Sequence, residues 1–284
     1  MVNVLAWESS DRVLLTGHGL TLDADFELAD GVRISPIVHE LDEGGLASLE
    51  EIKDRAAIAT MHEIASFSVE VIDDRGGKEL ATKGWNRLWD FHLLSLASHS
   101  PAFILYSASP SKAGMAYAVA NRNLILSPLD NIHKLGSDEL EWAKEHEPSF
   151  RKLISDETFS AAMRYFGNAH YLFDLEHRIM LLWAGIEGLL SVEAEHNHRI
   201  ALYSAVLLHG SPDEKQSTFK AVKEAYSLRS RVVHGAKPSE AKLKKGYAQA
   251  TNLLAGLLAR SVELGAVPSR NDLDDAIMLA KFPS

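Results

Sequence analysis

The second half of the chain contains a long stretch without proline. After Pro148 the next proline is Pro212. Across this stretch, capping residues precede segments whose apolar residues recur every three or four positions, which is the spacing of one face of an α-helix. Amphipathic helices of this kind bury their apolar faces against one another. We therefore predict an all-α helical bundle for residues 136–284.

Start and stop signals divide this half into separate helices. Asp156 and Ser239 are the residue types that cap helix N-termini, and Gly235 and Gly265 occupy the usual C-terminal glycine position. The predicted helices are one that opens at Ser137 and is interrupted at Pro148, one that begins after Asp156, and those over 175–190, 198–208, 219–234, 240–264 and 271–279.

The first half mixes strand and helix patterns. Asp30-Gly31 stands between two apolar segments and predicts a β-hairpin over residues 25–37. Residues 67–72 alternate as a half-buried strand does. Helices are predicted over 46–64 and 79–97, and further strands over 102–106, 115–119 and 123–126. The expected fold class is an α+β N-terminal domain over residues 1–130, followed by the all-α bundle.

Charge divides the chain in the same way. The whole sequence of 284 residues has a formal charge of −10. Residues 1–150 carry 12 Lys and Arg against 24 Asp and Glu, whereas residues 151–284 carry 17 against 15. A polyanion such as RNA is repelled by the first half and tolerated by the second. We expect two units with different roles, and we do not expect a DNA-binding protein.

Several classes of site and location are excluded or disfavoured. The chain has no cysteine, which excludes disulfides, a thiolate nucleophile and Cys-ligated metals. No glycine-rich phosphate loop occurs, and His196 and His198 beside Glu193 and Glu195 are expected to be solvated surface, so we predict neither a cofactor nor a metal. The apolar run Ile179–Ile186 is far shorter than the roughly 20 residues of a membrane span. Without a signal peptide at its N-terminus, the protein is expected to be cytoplasmic.

Two segments of the second half carry residues with the potential for catalysis. Residues 226–235 read Tyr-Ser-Leu-Arg-Ser-Arg-Val-Val-His-Gly. Residues 178–190 are apolar apart from Arg178 and Glu187. Together these segments resemble the HEPN family, and within it the Apea-like HEPN domains. The resemblance covers residues 136–264 and is confined to the C-terminal half of the chain.

The resemblance implies a function and a set of site residues. In that family an arginine, a polar residue, a short spacer and a histidine form a ribonuclease signature, which Arg229, Ser230 and His234 match. An acidic residue on an earlier core helix is matched by Glu187. The family resemblance implies a metal-independent endoribonuclease that leaves 2′,3′-cyclic phosphate and 5′-hydroxyl ends. The implied catalytic residues are Arg229 and His234, and the supporting ones are Ser230, Arg231, Glu187 and Tyr226.

The resemblance also implies partners. HEPN domains usually pair, so a homodimer that brings two Arg/His sets together is expected. The ribonuclease signature implies RNA as substrate. The family acts in stress response, toxin–antitoxin and phage-defence settings, which implies an antitoxin or other protein as partner.

These residue types suit metal-free RNA cleavage. A group with a pKa near 7 can move protons to or from the 2′- and 5′-oxygens, and histidine is such a group. Arginine supplies a permanent cation with two-pronged geometry for the phosphate. At a helix C-terminus the helix dipole favours the imidazolium form, so His234 is expected to be a better acid than base.

Helix geometry leaves alternatives open. Five residues along an α-helix turn by about 500°, so Arg229 and His234 point about 140° apart, and Arg231 is a rival phosphate ligand. Arg229 is also suited to a structural ion pair with Glu187, and His234 to capping carbonyl groups at the helix end. The alternative functions are a non-catalytic HEPN dimer that binds RNA or a partner beside an N-terminal sensor domain, and a small-molecule enzyme sited in the first domain.

Overall fold

The computed structural model describes residues 10–112, 114–120, 132–192 and 195–278. The chain divides into two compact units, Met1–Glu147 and Pro148–Ser284, called unit 1 and unit 2 below. Residues 128–136, where we expect the boundary, precede a helix whose first turns belong to unit 1. The predicted strand over 123–126 lies outside the described residues.

Unit 1 is built on an antiparallel sheet. The described strands are β1 (Arg12–His18), β2 (Leu20–Thr21), β3 (Phe26–Ala29), β4 (Val32–Ser35), β5 (Phe67–Ile72), β6 (Phe103–Ser111), β7 (Gly114–Val119) and β8 (His133–Lys134). Six of them form one sheet in the order β3-β4-β5-β1-β6-β7, and β2 pairs with β8 in parallel. The predicted hairpin is confirmed as β3–β4, with Gly31 in the left-handed region at φ +60°. The sequence patterns do not predict β1, although it is a central strand.

Within the described part of unit 1, four helices accompany this sheet. They are α1 (Glu43–Ser48), α2 (Ile52–Ile64), α3 (Gly77–Arg87) and α4 (Asp90–Ser98). The single helices predicted over 46–64 and 79–97 are therefore wrong, since each is two helices. The first break occurs because Leu49 and Glu51 adopt extended backbone. The second is a bend at Leu88 and Trp89.

The helices cover both faces of the sheet. Alternate residues of a strand point to opposite faces, so Leu15 and Leu14 of β1 enter different cores. Phe67 is on the face of Leu15, and its ring lies 5.4 Å from that of Phe91 in α4. Leu14 belongs instead to a cluster with Ile58 of α2. The arrangement is a three-layer α/β/α stack.

Unit 2 is helical. Together with α5 (Ser137–Leu153), which starts in unit 1, its described helices are α6 (Glu157–Ala169), α7 (Leu175–Leu189), α8 (His196–Leu208), α9 (Pro212–Val233), α10 (Glu240–Leu264) and α11 (Arg270–Met278). Helix α7 packs between α6 and α10, and α8 packs along α9. The N-terminal antiparallel sheet with helices, followed by a helical half, agrees with the predicted fold class. No helix of the described residues is both long and apolar enough to cross a membrane.

Two predicted helix limits in this half are wrong. Helix α5 continues through Pro148, and Phe150 and Leu153 beyond the proline are buried, so packing holds the helix together. Helix α9 begins at Pro212 instead of residue 219. The Ser211 side chain accepts a hydrogen bond from the Glu214 backbone N–H at 3.3 Å, which fixes this earlier start.

Glycines allow helices α7, α9 and α10 to approach one another closely. A Cβ at Gly246 of α10 would overlap the Leu228 side chain of α9, so these helices touch through a glycine. A Cβ at Gly185 of α7 would lie 2.8 Å from the side chain of Leu254 in α10. Helices α7, α9 and α10 therefore form one closely packed group.

Substitution of two adjacent glycines, Gly44 and Gly45, tests the packing of α1 in unit 1. A Cβ at Gly45 would overlap the backbone carbonyl oxygen of Met115 in β7, whereas a Cβ at Gly44 meets only carboxylate oxygens of Asp42 at 3.9 Å. We expect Gly45→Ala to lower the free energy of unfolding by about 1–3 kcal/mol through overpacking. Gly44→Ala should raise it by up to about 1 kcal/mol, since alanine is the better helix former. Urea unfolding of both variants measures this, and equal stabilities would contradict the contact of α1 with β7.

Candidate functional site

The middle of α7 and the C-terminal part of α9 meet through an ion pair. Arg229 Nη2 lies 3.0 Å from Oε1 of Glu187 and donates a hydrogen bond to Oε2 at 3.3 Å. The side chains are 25% and 21% exposed, so the pair is largely removed from water. Glu187 and Arg229, two candidate site residues 42 positions apart in the sequence, are thus in direct contact.

Aromatic rings support this ion pair from α9 and α7. The guanidinium carbon of Arg229 lies 5.4 Å from the centre of the Tyr226 ring, a cation–π contact. Trp183, which is fully buried, meets Tyr226 edge to face with ring centres 5.2 Å apart. Burial raises the pKa of Tyr226, and the charge of Glu187 raises it further while that of Arg229 opposes the change. Tyr226 therefore remains a neutral phenol whose ring stacks on the cation.

The direction of Arg229 fixes the direction of the residues that follow it. Each residue of an α-helix turns by about 100°, so with Arg229 facing α7, Arg231 points about 200° away and His234 about 140° away. Both side chains are exposed accordingly. They are separated by about 60° and share one outer face of α9. Ser230 lies between these faces and is half-buried.

The structure does not join Arg229 to His234. No hydrogen bond between these two side chains occurs within the described part of unit 2. Of the residues named from the sequence, Arg229, Glu187 and Tyr226 are brought together, and Arg231 and His234 form a separate, solvent-facing pair of positions. The geometry agrees with the divergence of about 140° expected from the sequence.

Backbone bonds, not the His234 imidazole, close the end of α9. The N–H of Gly235 donates to the carbonyl oxygen of Val232 and that of Ala236 to Arg231, both at 3.0 Å. Gly235 has φ +78°, so this is a glycine-based C-terminal cap. The imidazole of His234 makes no hydrogen bond to any described residue. The alternative in which this imidazole caps carbonyl groups is therefore not seen, and the imidazole is available to a ligand.

The segment that carries this exposed face is rich in positive charge. Residues 229–245, called the basic hairpin below, carry six Lys and Arg against a single Glu. They comprise the end of α9, the connection and the start of α10, which run side by side because Leu228 packs on Gly246. Lys237, Lys242 and Lys245 are exposed. This local excess of Lys and Arg is visible in the sequence, but the net charge of residues 151–284 does not reveal it, because acidic residues elsewhere in that half offset it.

Metal binding finds no support in the described residues. They contain no group of three or more His, Asp and Glu side chains placed to hold a metal ion. His196 and His198 lie in the first turn of α8, and Glu193 lies outside the described residues.

Comparisons with known proteins add no relative. No family model matches the chain, and neither the curated proteins nor the solved structures give a match. The function is therefore inferred from the side chains of unit 2 themselves.

Two ion pairs of equal length but different exposure provide a test. Lys244 and Glu240 are also 3.0 Å apart, but their side chains are 56% and 75% exposed. Double-mutant cycles with Arg229→Met and Glu187→Gln should give a coupling energy of about 1–3 kcal/mol, because the pair is shielded from water. The same cycle on Lys244 and Glu240 should give about 0.3–0.5 kcal/mol. Equal coupling energies would contradict the assignment of Arg229 and Glu187 as the bond that orients α9.

Proposed function

We propose that unit 2 is a HEPN-type, metal-independent endoribonuclease that acts as a homodimer, with the outer face of α9 as its RNA-contacting surface. The observation that carries this proposal is the exposed His234 imidazole, which has no hydrogen-bond partner among the described residues and lies one turn after the exposed Arg231. Both lie on the basic hairpin of an otherwise acidic chain. Such a surface attracts a phosphate backbone and offers a proton-transfer group beside it.

The chemistry needs only the RNA and these side chains. The 2′-oxygen attacks the neighbouring phosphorus, and the bond from phosphorus to the 5′-oxygen breaks. His234, in its imidazolium form, donates its proton to the leaving 5′-oxygen. The proton of the 2′-hydroxyl passes to a base, for which a second copy of the chain offers another imidazole. The products are a 2′,3′-cyclic phosphate and a 5′-hydroxyl.

The two arginines receive different roles. Arg231 is exposed and faces within about 60° of His234, so it is placed to bind the phosphate that His234 acts on. Arg229, the arginine of the family signature, is held by Glu187 and Tyr226 and is assigned as a positioning residue. It orients α9 and thereby presents Arg231 and His234.

One observation favours a second function. Glu187 already neutralises the charge of Arg229, which leaves this arginine with less charge to offer a phosphate and so favours a non-catalytic HEPN dimer that binds RNA or a protein partner. In that case the basic hairpin would bind RNA without cleaving it, and unit 1 would act as a sensor domain.

Cleavage of labelled single-stranded RNA in EDTA tests the proposal. The wild-type chain should cleave, and His234→Ala should lower the rate by about 10²–10⁴-fold, the usual contribution of acid–base catalysis. Arg231→Ala should lower it by about 10²–10³-fold through lost stabilisation of the phosphate charge. His177→Ala removes another exposed histidine of unit 2, on α7, and should leave the rate unchanged.

Other outcomes have defined meanings. Cleavage by His234→Ala at the wild-type rate would contradict the proposal, and RNA bound but left intact by the wild-type chain would favour the non-catalytic module. If Arg229→Ala loses activity without loss of stability while Arg231→Ala retains it, the phosphate contact belongs to Arg229.

A further inference from the structure

Unit 1 contains a cavity that the ribonuclease proposal does not use. The cavity has a volume of about 220 Å³ and lies on the α2-covered face of the sheet. Leu14 and Thr16 of β1 and Ala108 of β6 line it, together with the rings of Tyr106 and Tyr117. Because four adjacent strands contribute to its lining, the cavity is a feature of the folded sheet and not of one loop.

A tyrosine hydroxyl group in the lining of this cavity has a hydrogen to donate. Tyr117 is only 7% exposed, and its oxygen accepts a hydrogen bond from the Asp42 backbone N–H at 2.8 Å. No acceptor for the hydroxyl hydrogen of Tyr117 exists among the described residues. Burial raises the pKa of Tyr117, so this group stays protonated. A ligand with an acceptor atom would pair with this hydrogen.

The opposite lining offers hydrogen-bond acceptors. The Ser68 hydroxyl donates to the Ile37 carbonyl oxygen at 2.8 Å, which leaves its oxygen lone pairs available. Tyr106 is bonded to His62 Nδ1 at 2.8 Å, so its position is fixed and its ring forms a rigid wall. Donor, acceptor and aromatic wall therefore face one small space.

The lining of the cavity carries charges of both signs. Arg12, His39 and Glu40 line it, and Arg12 also lies 3.4 Å from Glu70. A ligand with a strong net charge gains little from such a lining. The volume is below the roughly 300 Å³ of a drug-sized pocket.

We propose that unit 1 binds a small uncharged heterocycle of nucleobase size in this cavity. Tyr117 donates to a carbonyl or ring-nitrogen acceptor of the ligand, Ser68 accepts from a ring N–H, and the rings of Tyr106 and Tyr117 contact its faces and edges. Bases held away from a stack are read in this way, by hydrogen bonds to their edges and by aromatic contacts. The proposal is independent of the activity of unit 2.

Calorimetric titration of the full chain with adenine, hypoxanthine, cytosine and uracil tests this site. At least one base should bind with a dissociation constant of about 0.1 mM or tighter. Tyr117→Phe keeps the ring and removes the donor, and it should weaken binding about tenfold. Ala108→Leu fills the cavity and should abolish binding. Tyr165→Phe in unit 2 is the matched control and should bind as the wild type does.

Two results would overturn the proposal. The first is that none of the four bases binds at 1 mM. The second is that Tyr117→Phe and Ala108→Leu, with circular dichroism of the wild type, bind with unchanged affinity. His234→Ala should bind bases normally, so failure of the ribonuclease proposal and failure of this one are distinguishable.

Discussion

The ion pair between Arg229 and Glu187 sets the geometry on which the functional account depends. A carboxylate on an apolar helix such as α7 needs a cation, because an unpaired buried charge is costly. Arg229 supplies the cation, and its side chain must face α7 to do so. Helical rotation then directs Arg231 and His234 to solvent, and the glycine-based cap after His234 leaves the imidazole unused. We therefore propose that Arg229, which the family resemblance marks as catalytic, orients its neighbours on α9.

Much of the helical half could be predicted because its signals are local. Asp156 caps α6, and the limits of α10 match the predicted 240–264. The errors arise where long-range packing or polar composition overrides local rules. Residues 213–218 of α9 are polar and show no apolar period, although Ser211 and Pro212 before them are typical of a helix start. Strand β1 is buried on both faces, so it lacks the alternation that marks other strands.

The site was only partly predictable for related reasons. The sequence identifies Glu187, Arg229 and His234, and helix geometry alone indicates that Arg229 and His234 diverge. It does not show which of them faces the bundle, since that depends on the rotation of α9 against α7. The cavity of unit 1 could not be predicted from sequence patterns, because the register of the sheet brings Thr16, Tyr106 and Tyr117 together from three strands.

The chemistry of the RNA ends shows whether the 2′-hydroxyl is the nucleophile. Mass spectrometry can compare the products from an all-ribose oligonucleotide with those from the same sequence carrying 2′-O-methyl groups throughout, both in EDTA. Our account predicts fragments with 2′,3′-cyclic phosphate and 5′-hydroxyl ends from the first and an intact second oligonucleotide, because the 2′-hydroxyl is the nucleophile. Fragments with 5′-phosphate ends, or cleavage of the methylated oligonucleotide, would contradict it.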